Sequence, residues 1–138
     1  MTQADERRDT IHFSESVDPG ETITLTKEMD RDATIETIEV RIYRGAEFAL
    51  QATPFKDVEP SSDTERRVPL LTYRGREYIA GDADRFSFPV AREVREGRTV
   101  GVEVENTADQ YAYNFNVSIV VEYAGGASRI LAPLRRWL

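Results

Sequence analysis

Apolar and polar residues alternate with a period of two through most of the chain from residue 10 onward. Ile38, Val40 and Ile42 are separated by charged residues, and the stretches around Phe86 and Val102 repeat the pattern. Alternation of this kind places apolar side chains on one face of a β-strand and polar side chains on the other. With turn signals about every ten residues, the pattern predicts roughly eight short strands and no convincing helix.

The fold class predicted from this pattern is all-β, because each strand has one apolar face and one polar face. Two antiparallel sheets packed face to face bury such strands, so we expect a β-sandwich. Residues 56–76 contain two prolines and a Ser-Ser-Asp cluster, and they show no clean period. We interpret them as a long loop that crosses between sheets, which favours jelly-roll or Greek-key topology.

The run VGVEVENTADQYAYNFNVSIVVEY, residues 100–123, contains two alternating stretches separated by a short polar break. This arrangement is typical of a β-hairpin. The odd-numbered positions from Tyr111 to Tyr123 are predicted to face the core. The even-numbered positions carry almost no lysine or arginine, whereas an open edge strand is normally protected by charge. We therefore expect the hairpin to be central in its sheet or covered by a neighbour.

Three segments are predicted: a flexible N-terminal segment at residues 1–9, the sandwich at 10–124 and a C-terminal arm at 125–138. The first segment is polar and charged and lacks the apolar core of a signal peptide. The arm follows Gly125-Gly126 and either folds across its own sandwich or docks on a neighbouring subunit. In the second case, Trp137 is its anchor. The expected subunit interface consists of Ile130, Leu131, Leu134, Arg135, Trp137 and Leu138.

The charge balance restricts the environments and the partners that we expect for this protein. Asp and Glu total 25 against 18 Lys and Arg, giving a net charge of −7, and Lys27 and Lys56 are the only lysines. An acid-rich, lysine-poor chain is typical of proteins that work in concentrated salt, where self-repulsion is screened. A GC-rich genome combined with an ordinary acidic domain is the alternative. Either way, we expect no binding to nucleic acid, which needs clustered positive charge, and no membrane insertion.

No catalytic residue, cofactor or metal site is predicted. His12 is the sole imidazole, and its place opposite Ile11 and Phe13 indicates an exposed strand position rather than a catalytic base. Asp82 and Asp84 are weak candidates for a calcium site, since alternate aspartates in a turn can supply oxygen ligands. A solvated turn explains them better, and the same holds for Asp30 and Asp32.

The chain has three further candidate features: a glycosylation pattern, two tyrosines outside the main alternation, and many acids. Asn116 begins an Asn-Val-Ser glycosylation pattern, but it falls in the middle of a predicted strand. Tyr73 and Tyr78 lie outside the main alternation, which makes them the expected contacts for a glycan if the protein binds one. A glycosidase with two paired acids is a third reading, but 25 acids give it little discriminating power.

The acidic, arginine-over-lysine composition and the run at residues 100–123 resemble those of small jelly-roll virion proteins of viruses that infect halophilic archaea. The resemblance covers residues 10–123 in composition and strand pattern, and no functional residue is transferred from it. It implies a non-enzymatic capsid, decoration, turret or tail component, assembled in the host cytoplasm and extracellular when mature. Its expected partners are further copies of itself and other virion proteins. The alternative function is a carbohydrate- or receptor-binding module that contacts a host surface glycan.

Overall fold

The computed structural model describes residues 7–61 and 64–124, with side chains described except at 58–61 and 64–66. Within these ranges the fold is all-β, as predicted. No helix in the described part of the chain is long and apolar enough to cross a membrane. The strands are β1 (Arg8–Val17), β2 (Thr22–Glu28), β3 (Ala33–Ile42), β4 (Leu50–Ser61), β5 (Thr64–Pro69), β6 (Asp84–Val94), β7 (Thr99–Asn106) and β8 (Tyr113–Tyr123).

The strands form two four-stranded antiparallel sheets. Sheet A has the order β1-β8-β3-β6, and sheet B has the order β2-β7-β4-β5. Consecutive strands therefore tend to lie in opposite sheets, and each sheet interleaves early and late strands. These two orders are those of the eight-stranded jelly roll, which consists of two Greek keys. The predicted antiparallel sandwich and its jelly-roll topology are both confirmed.

The core lies between the sheets and is built from the apolar positions of the alternating pattern. Ile38, Val40 and Ile42 of β3 are buried against the valines of β7. Burial of each such side chain contributes about 1.5–3 kcal/mol. In β8 the buried positions are the odd-numbered ones from Phe115 to Val121, as predicted, but Tyr111 is 64% exposed and lies outside the core.

Residues 100–123 do not form the predicted hairpin. β7 pairs with β2 and β4 in sheet B, whereas β8 pairs with β1 and β3 in sheet A. The connection between β7 and β8 crosses from one sheet to the other. Alternation shows which face of a strand is buried, but it does not identify the neighbouring strand. The expectation of a central position is confirmed for both strands.

Residues 56–76 are not the predicted long loop, since most of them extend β4 and form β5. These two strands pair as a hairpin, with Lys56 opposite Val68 and Asp57 opposite Arg67. β5 lies at the edge of sheet B and ends at Pro69, and its sequence, TERRVP, contains no alternating apolar residues. The crossing to sheet A is made by residues 70–83 instead.

β1 begins at Arg8, which pairs with Glu122, so ordered strand pairing includes residues that precede the predicted boundary at residue 10. The predicted C-terminal arm lies outside the described residues. The same is true of all six interface candidates, Ile130, Leu131, Leu134, Arg135, Trp137 and Leu138. The three-segment division stays a prediction.

Candidate ligand-binding cleft

A cleft of about 370 Å³ lies where residues 70–83 cross between the sheets. Its volume is at the lower end of the range for small-molecule sites, roughly 300–1,000 Å³. Four of its eight lining residues are aromatic, and three are charged. The lining residues are Phe48, Tyr73, Arg74, Arg76, Tyr78, Ala80, Asp84 and Phe86.

Tyr73 and Tyr78, the two residues expected to contact a glycan, both line this cleft. The ring of Tyr73 packs edge-to-face on Phe86 and Phe88 of β6, with centroid distances of 5.2 and 5.9 Å. Such contacts hold an aromatic ring in one orientation. Tyr73 therefore forms a fixed wall between the crossing segment and sheet A.

A tight turn at Arg74-Gly75 positions the residues around it. The backbone N–H of Tyr73 donates to the carbonyl of Arg76 at 2.7 Å, and that of Arg76 donates to the carbonyl of Tyr73 at 3.0 Å. Both central residues have positive φ, 55° at Arg74 and 77° at Gly75, which defines a two-residue type I′ hairpin. The turn projects its two arginines beside the tyrosine rings.

The return strand of this turn is fixed to sheet B by a buried isoleucine. Ile79 is fully buried and exchanges two backbone hydrogen bonds with Ala52 of β4, at 2.8 and 3.0 Å. Successive residues of an extended chain point to opposite sides. Burial of Ile79 therefore directs Tyr78 and Ala80 away from the core and into the cleft.

Phe48 forms the opposite rim. In the sequence it alternates with Leu50 and Ala52, which is typical of a strand residue. Instead β4 begins at Leu50, and Phe48 is 61% exposed with a φ of 68°. The preceding residue, Glu47, also has positive φ, at 49°. Two consecutive left-handed residues other than glycine are rare and cost about 1–2 kcal/mol each. The surrounding contacts must hold this conformation in place.

Asp82 supplies those contacts. Its Oδ1 accepts hydrogen bonds from the backbone N–H groups of Gly45, at 2.7 Å, and Glu47, at 3.3 Å. The N–H of Phe48 donates to the carbonyl of Gly81 at 3.0 Å. The loop that carries Phe48 is thus tied to the segment that carries Tyr78.

The weak metal candidates Asp82 and Asp84 are engaged in hydrogen bonds of the fold. Asp84 Oδ2 accepts from the N–H of Asp82 at 2.9 Å, and Asp82 Oδ1 is committed to the loop at residues 45–47. No group of three or more His, Cys, Asp or Glu side chains suited to a metal ion is found in the part of the chain that the structure describes. The arrangement explains both aspartates as loop-positioning groups.

Arg74 and Arg76 bring positive charge to the cleft. Their guanidinium carbons lie 5.5 Å from the ring centre of Tyr73 and 5.4 Å from that of Tyr78. Arg76 Nη1 also donates to the Tyr78 hydroxyl at 2.5 Å. Neither cleft arginine forms an ion pair with an acid among the described side chains, whereas Arg8 pairs with Glu36 and Arg67 with Glu103.

His12 is exposed on the outer face of sheet A, as predicted. Its Nδ1 lies 3.0 Å from the Ser118 hydroxyl, and the register places Glu39 on the other side of Ser118. A nucleophilic triad requires the carboxylate beside the imidazole, so that it orients the base. Here the carboxylate flanks the serine instead, and the order of the three residues does not make a triad.

A second, shallower groove of about 290 Å³ lies on the outer face of sheet B. Three glutamates line it, Glu77, Glu103 and Glu105, of which Glu103 pairs with Arg67 at 3.4 Å. The glycosidase hypothesis requires two neighbouring acids, and this groove brings several together. It is open and polar, and its aromatic lining is limited to the edge formed by Phe55.

No family model matches the sequence, and no curated protein matches it. Solved structures resemble it at low sequence identity. The infectious bursal disease virus VP2 subviral particle has 12% identity and a TM-score of 0.46, over 87% of this chain and 34% of that one. The Yersinia pseudotuberculosis-derived mitogen has 5% identity and a TM-score of 0.48, over 80% and 84% of the two chains.

A Bacillus endospore appendage protein, from a family of disulfide-linked pili, has 11% identity and a TM-score of 0.44, over 84% and 85% of the two chains. The chain described here spans about a third of the length of the bursal disease virus proteins that it matches. It has no cysteine with which to form a disulfide.

Proposed function

We propose that this protein is a non-enzymatic structural component of a virus particle that assembles as a homo-oligomer in high salt. The eight-stranded jelly roll is an architecture of viral capsid proteins and also of lectins. The observation that carries the proposal is the free edge of β1, which is ten residues long and contains neither proline nor lysine, two residue types that prevent a strand from pairing with another chain.

The other three edge strands carry such features. β6 contains Pro89, β5 is six residues long and ends at Pro69, and β2 is seven residues long and ends in Lys27-Glu28. Proline, lysine and short length all discourage edge-to-edge pairing. β1 is ten residues long and contains neither proline nor lysine. Among the described residues it pairs with β8 alone.

A second copy is the partner that we propose for this edge. Two β1 strands can pair antiparallel about a two-fold axis, which uses the same surface on both subunits and closes the assembly. The outer face of β1 from Thr10 to Ser16 carries hydroxyls and the His12 imidazole and no carboxylate. The exposed acid of this stretch, Glu15, belongs to the opposite face of the strand. Pairing would join two A sheets into one continuous sheet.

The charge distribution supports assembly in high salt. The chain carries a net charge of −7, and the ion pairs Arg8–Glu36 and Arg67–Glu103 are both partly exposed. Two such molecules repel one another at low ionic strength. In molar salt the Debye length falls to about 3 Å and the repulsion is screened. The C-terminal arm and other virion proteins are proposed as further contacts of the mature, extracellular particle.

Molar mass measured by light scattering in dilute and in molar salt tests the proposal. Ser14 and Glu15 are neighbours in β1, so only one of their N–H groups faces β8 and the other faces the free edge. Of the variants Ser14→Pro and Glu15→Pro, the one that keeps its β-sheet circular dichroism spectrum blocks the free edge alone. We expect it to be monomeric in molar salt, whereas alanine at the same position leaves assembly intact.

A wild-type protein that is monomeric at every salt concentration would contradict self-assembly. A folded proline variant that assembles as the wild type does would contradict the use of the β1 edge. In that case, the remaining candidate for the interface is the arm at residues 125–138.

The second candidate function is a carbohydrate- or receptor-binding module. It is favoured by one observation, that the cleft unites Tyr73 and Tyr78 with the exposed ring of Phe48. A glycan array tests it with Tyr78→Ala as the variant. Tyr111→Ala is the matched control, since Tyr111 is the other strongly exposed aromatic residue and does not line the cleft. Binding that is absent, or equal in both variants, would count against this function.

A further inference from the structure

We propose that the aromatic cleft binds a sugar that carries a carboxylate group, such as a hexuronic acid. This inference rests on the second candidate function and adds the chemical class of the ligand. Three features of the cleft support it: two guanidinium groups without an acidic partner in the described chain, exposed aromatic faces, and a carboxylate that can accept hydrogen bonds from hydroxyls.

The guanidinium groups select for an anion. Arg74 is a central residue of the two-residue turn and Arg76 directly follows the turn, so both are held at the same end of the cleft. Arg76 is oriented by its hydrogen bond to the Tyr78 hydroxyl, which uses Nη1 and leaves its other N–H groups for a ligand. A guanidinium matches a carboxylate through two parallel hydrogen bonds. Positive charge without an acidic partner stands out here because acids exceed bases in the chain by seven.

The aromatic rings select for a ligand with an apolar face. Phe48 is 61% exposed, and Tyr78 faces the cleft because the neighbouring Ile79 is buried. A pyranose ring presents C–H groups on its faces and hydroxyls at its edge. Small-ligand sites combine apolar and aromatic walls with a few fixed polar groups, and this cleft has that composition.

Asp84 makes the cleft selective for a carboxylated sugar over other anions. Its Oδ2 accepts from the N–H of Asp82, and its Oδ1 has no partner among the described residues. Oδ1 can accept a hydrogen bond from a hydroxyl at the edge of a sugar ring. The same negative charge repels doubly charged phosphate more than a singly charged carboxylate, so the site discriminates by repulsion as well as attraction.

The test is an NMR titration of the whole protein at low ionic strength with three probes: methyl glucuronide, methyl glucoside and inorganic phosphate. We expect glucuronide to bind at least about tenfold more tightly than glucoside, because hydrogen bonds to charged groups are the stronger ones. The double variant Arg74→Gln and Arg76→Gln should remove this difference. Arg95→Gln is the matched control, since Arg95 is an exposed arginine just beyond the far end of β6.

Tyr78→Ala provides the second measurement. It should weaken glucoside binding through loss of the ring, and glucuronide binding by a larger factor, because Arg76 also loses the hydroxyl that orients it. Equal affinity for glucuronide and glucoside would overturn the carboxylate specificity while leaving the carbohydrate-binding function standing. Tighter binding of phosphate than of glucuronide would also overturn it. If neither sugar shifts any resonance of the cleft residues, both proposals are wrong.

Discussion

The carboxylate of Asp82 accepts a hydrogen bond from the backbone N–H of Gly45 at 2.7 Å, across 37 positions of sequence. A second bond from Glu47 N–H converges on the same oxygen. This one side chain joins the two loops that form opposite rims of the cleft. It does so at the place where the backbone adopts two consecutive left-handed residues.

Replacing Asp82 with alanine is expected to lower stability by about 1–3 kcal/mol, since it leaves backbone donors without their acceptor. Chemical denaturation measures this loss. Asp109→Ala is the control, because Asp109 is exposed and makes no described hydrogen bond. The variant should also change the NMR environment of Phe48. An Asp82→Ala protein as stable as the control, with Phe48 unmoved, would show that the loop is held by other contacts.

Asn106 is expected to be the most sensitive polar residue in the described core. It is fully buried, and its Nδ2 donates to the carbonyls of Val17 and Tyr111, both at 2.9 Å. Its Oδ1 accepts from Ala108 N–H at 2.9 Å. Asn106→Ala should destabilise the protein by about 2–4 kcal/mol, since several buried polar groups lose their partners at once. Thermal unfolding checks this, with exposed Asn114→Ala as the comparison. A loss no larger than that of Asn114→Ala would contradict the role assigned to Asn106.

Stability at alkaline pH should depend on Tyr123. Burial raises its pKa, and the hydrogen bond that its hydroxyl donates to Asp9, at 3.1 Å, raises it further. Because the folded-state pKa lies above the unfolded value, the contribution is fully present below about pH 10. It is lost as pH rises from there through the folded-state pKa.

Denaturation midpoints measured across this range test the effect, with Tyr123→Phe as the variant. The wild type should lose more stability with rising pH than the variant, which has no group to ionise at this position. Burial lowers the pKa of Lys56, so the contribution of Lys56 to stability changes with pH in the opposite direction. Lys56 is present in both proteins and serves as an internal reference. If the denaturation midpoint falls equally with pH in both proteins, ionisation of Tyr123 is not the cause of the loss of stability.

Deleting residues 127–138 tests the predicted apolar arm. The deletion removes all six interface candidates while leaving every described strand in place. If the arm docks on a neighbouring subunit, molar mass in molar salt should fall relative to the full chain. If it folds across its own sandwich, assembly should persist, and stability should fall instead. Light scattering and denaturation on the same samples separate the two.

The sequence predicted the sandwich because burial on one face imposes a period of two, and that period survives in β3, β7 and β8. It did not predict strand partners. Val102 and Val117 would show the same alternation if their strands were neighbours in one sheet or lay in opposite sheets. β5 escaped detection because its sequence, Thr-Glu-Arg-Arg-Val-Pro, has no alternating apolar residues, whereas the edge strand β1 alternates through Ile11 and Phe13.

Only part of the cleft was accessible from sequence. Tyr73 and Tyr78 were found because they lie outside the core pattern. Phe48 was missed because its position depends on left-handed backbone that an alternation rule does not represent. Arg74 and Arg76 carried a weak signal in their Tyr-Arg-Gly-Arg context, where glycine in a short polar stretch is typical of a two-residue turn.

The conformation of Phe48 also provides a way to classify related chains. Glycine would occupy a φ of 68° without strain, and asparagine nearly so, yet the chain carries a large aromatic ring there. Folding alone favours the small residue at this position, and ligand contact alone favours the ring. Among sequences sharing this fold, an aromatic residue at position 48 should therefore mark those in which the cleft is under selection. Glycine or asparagine at this position should mark sequences in which the cleft is no longer under selection.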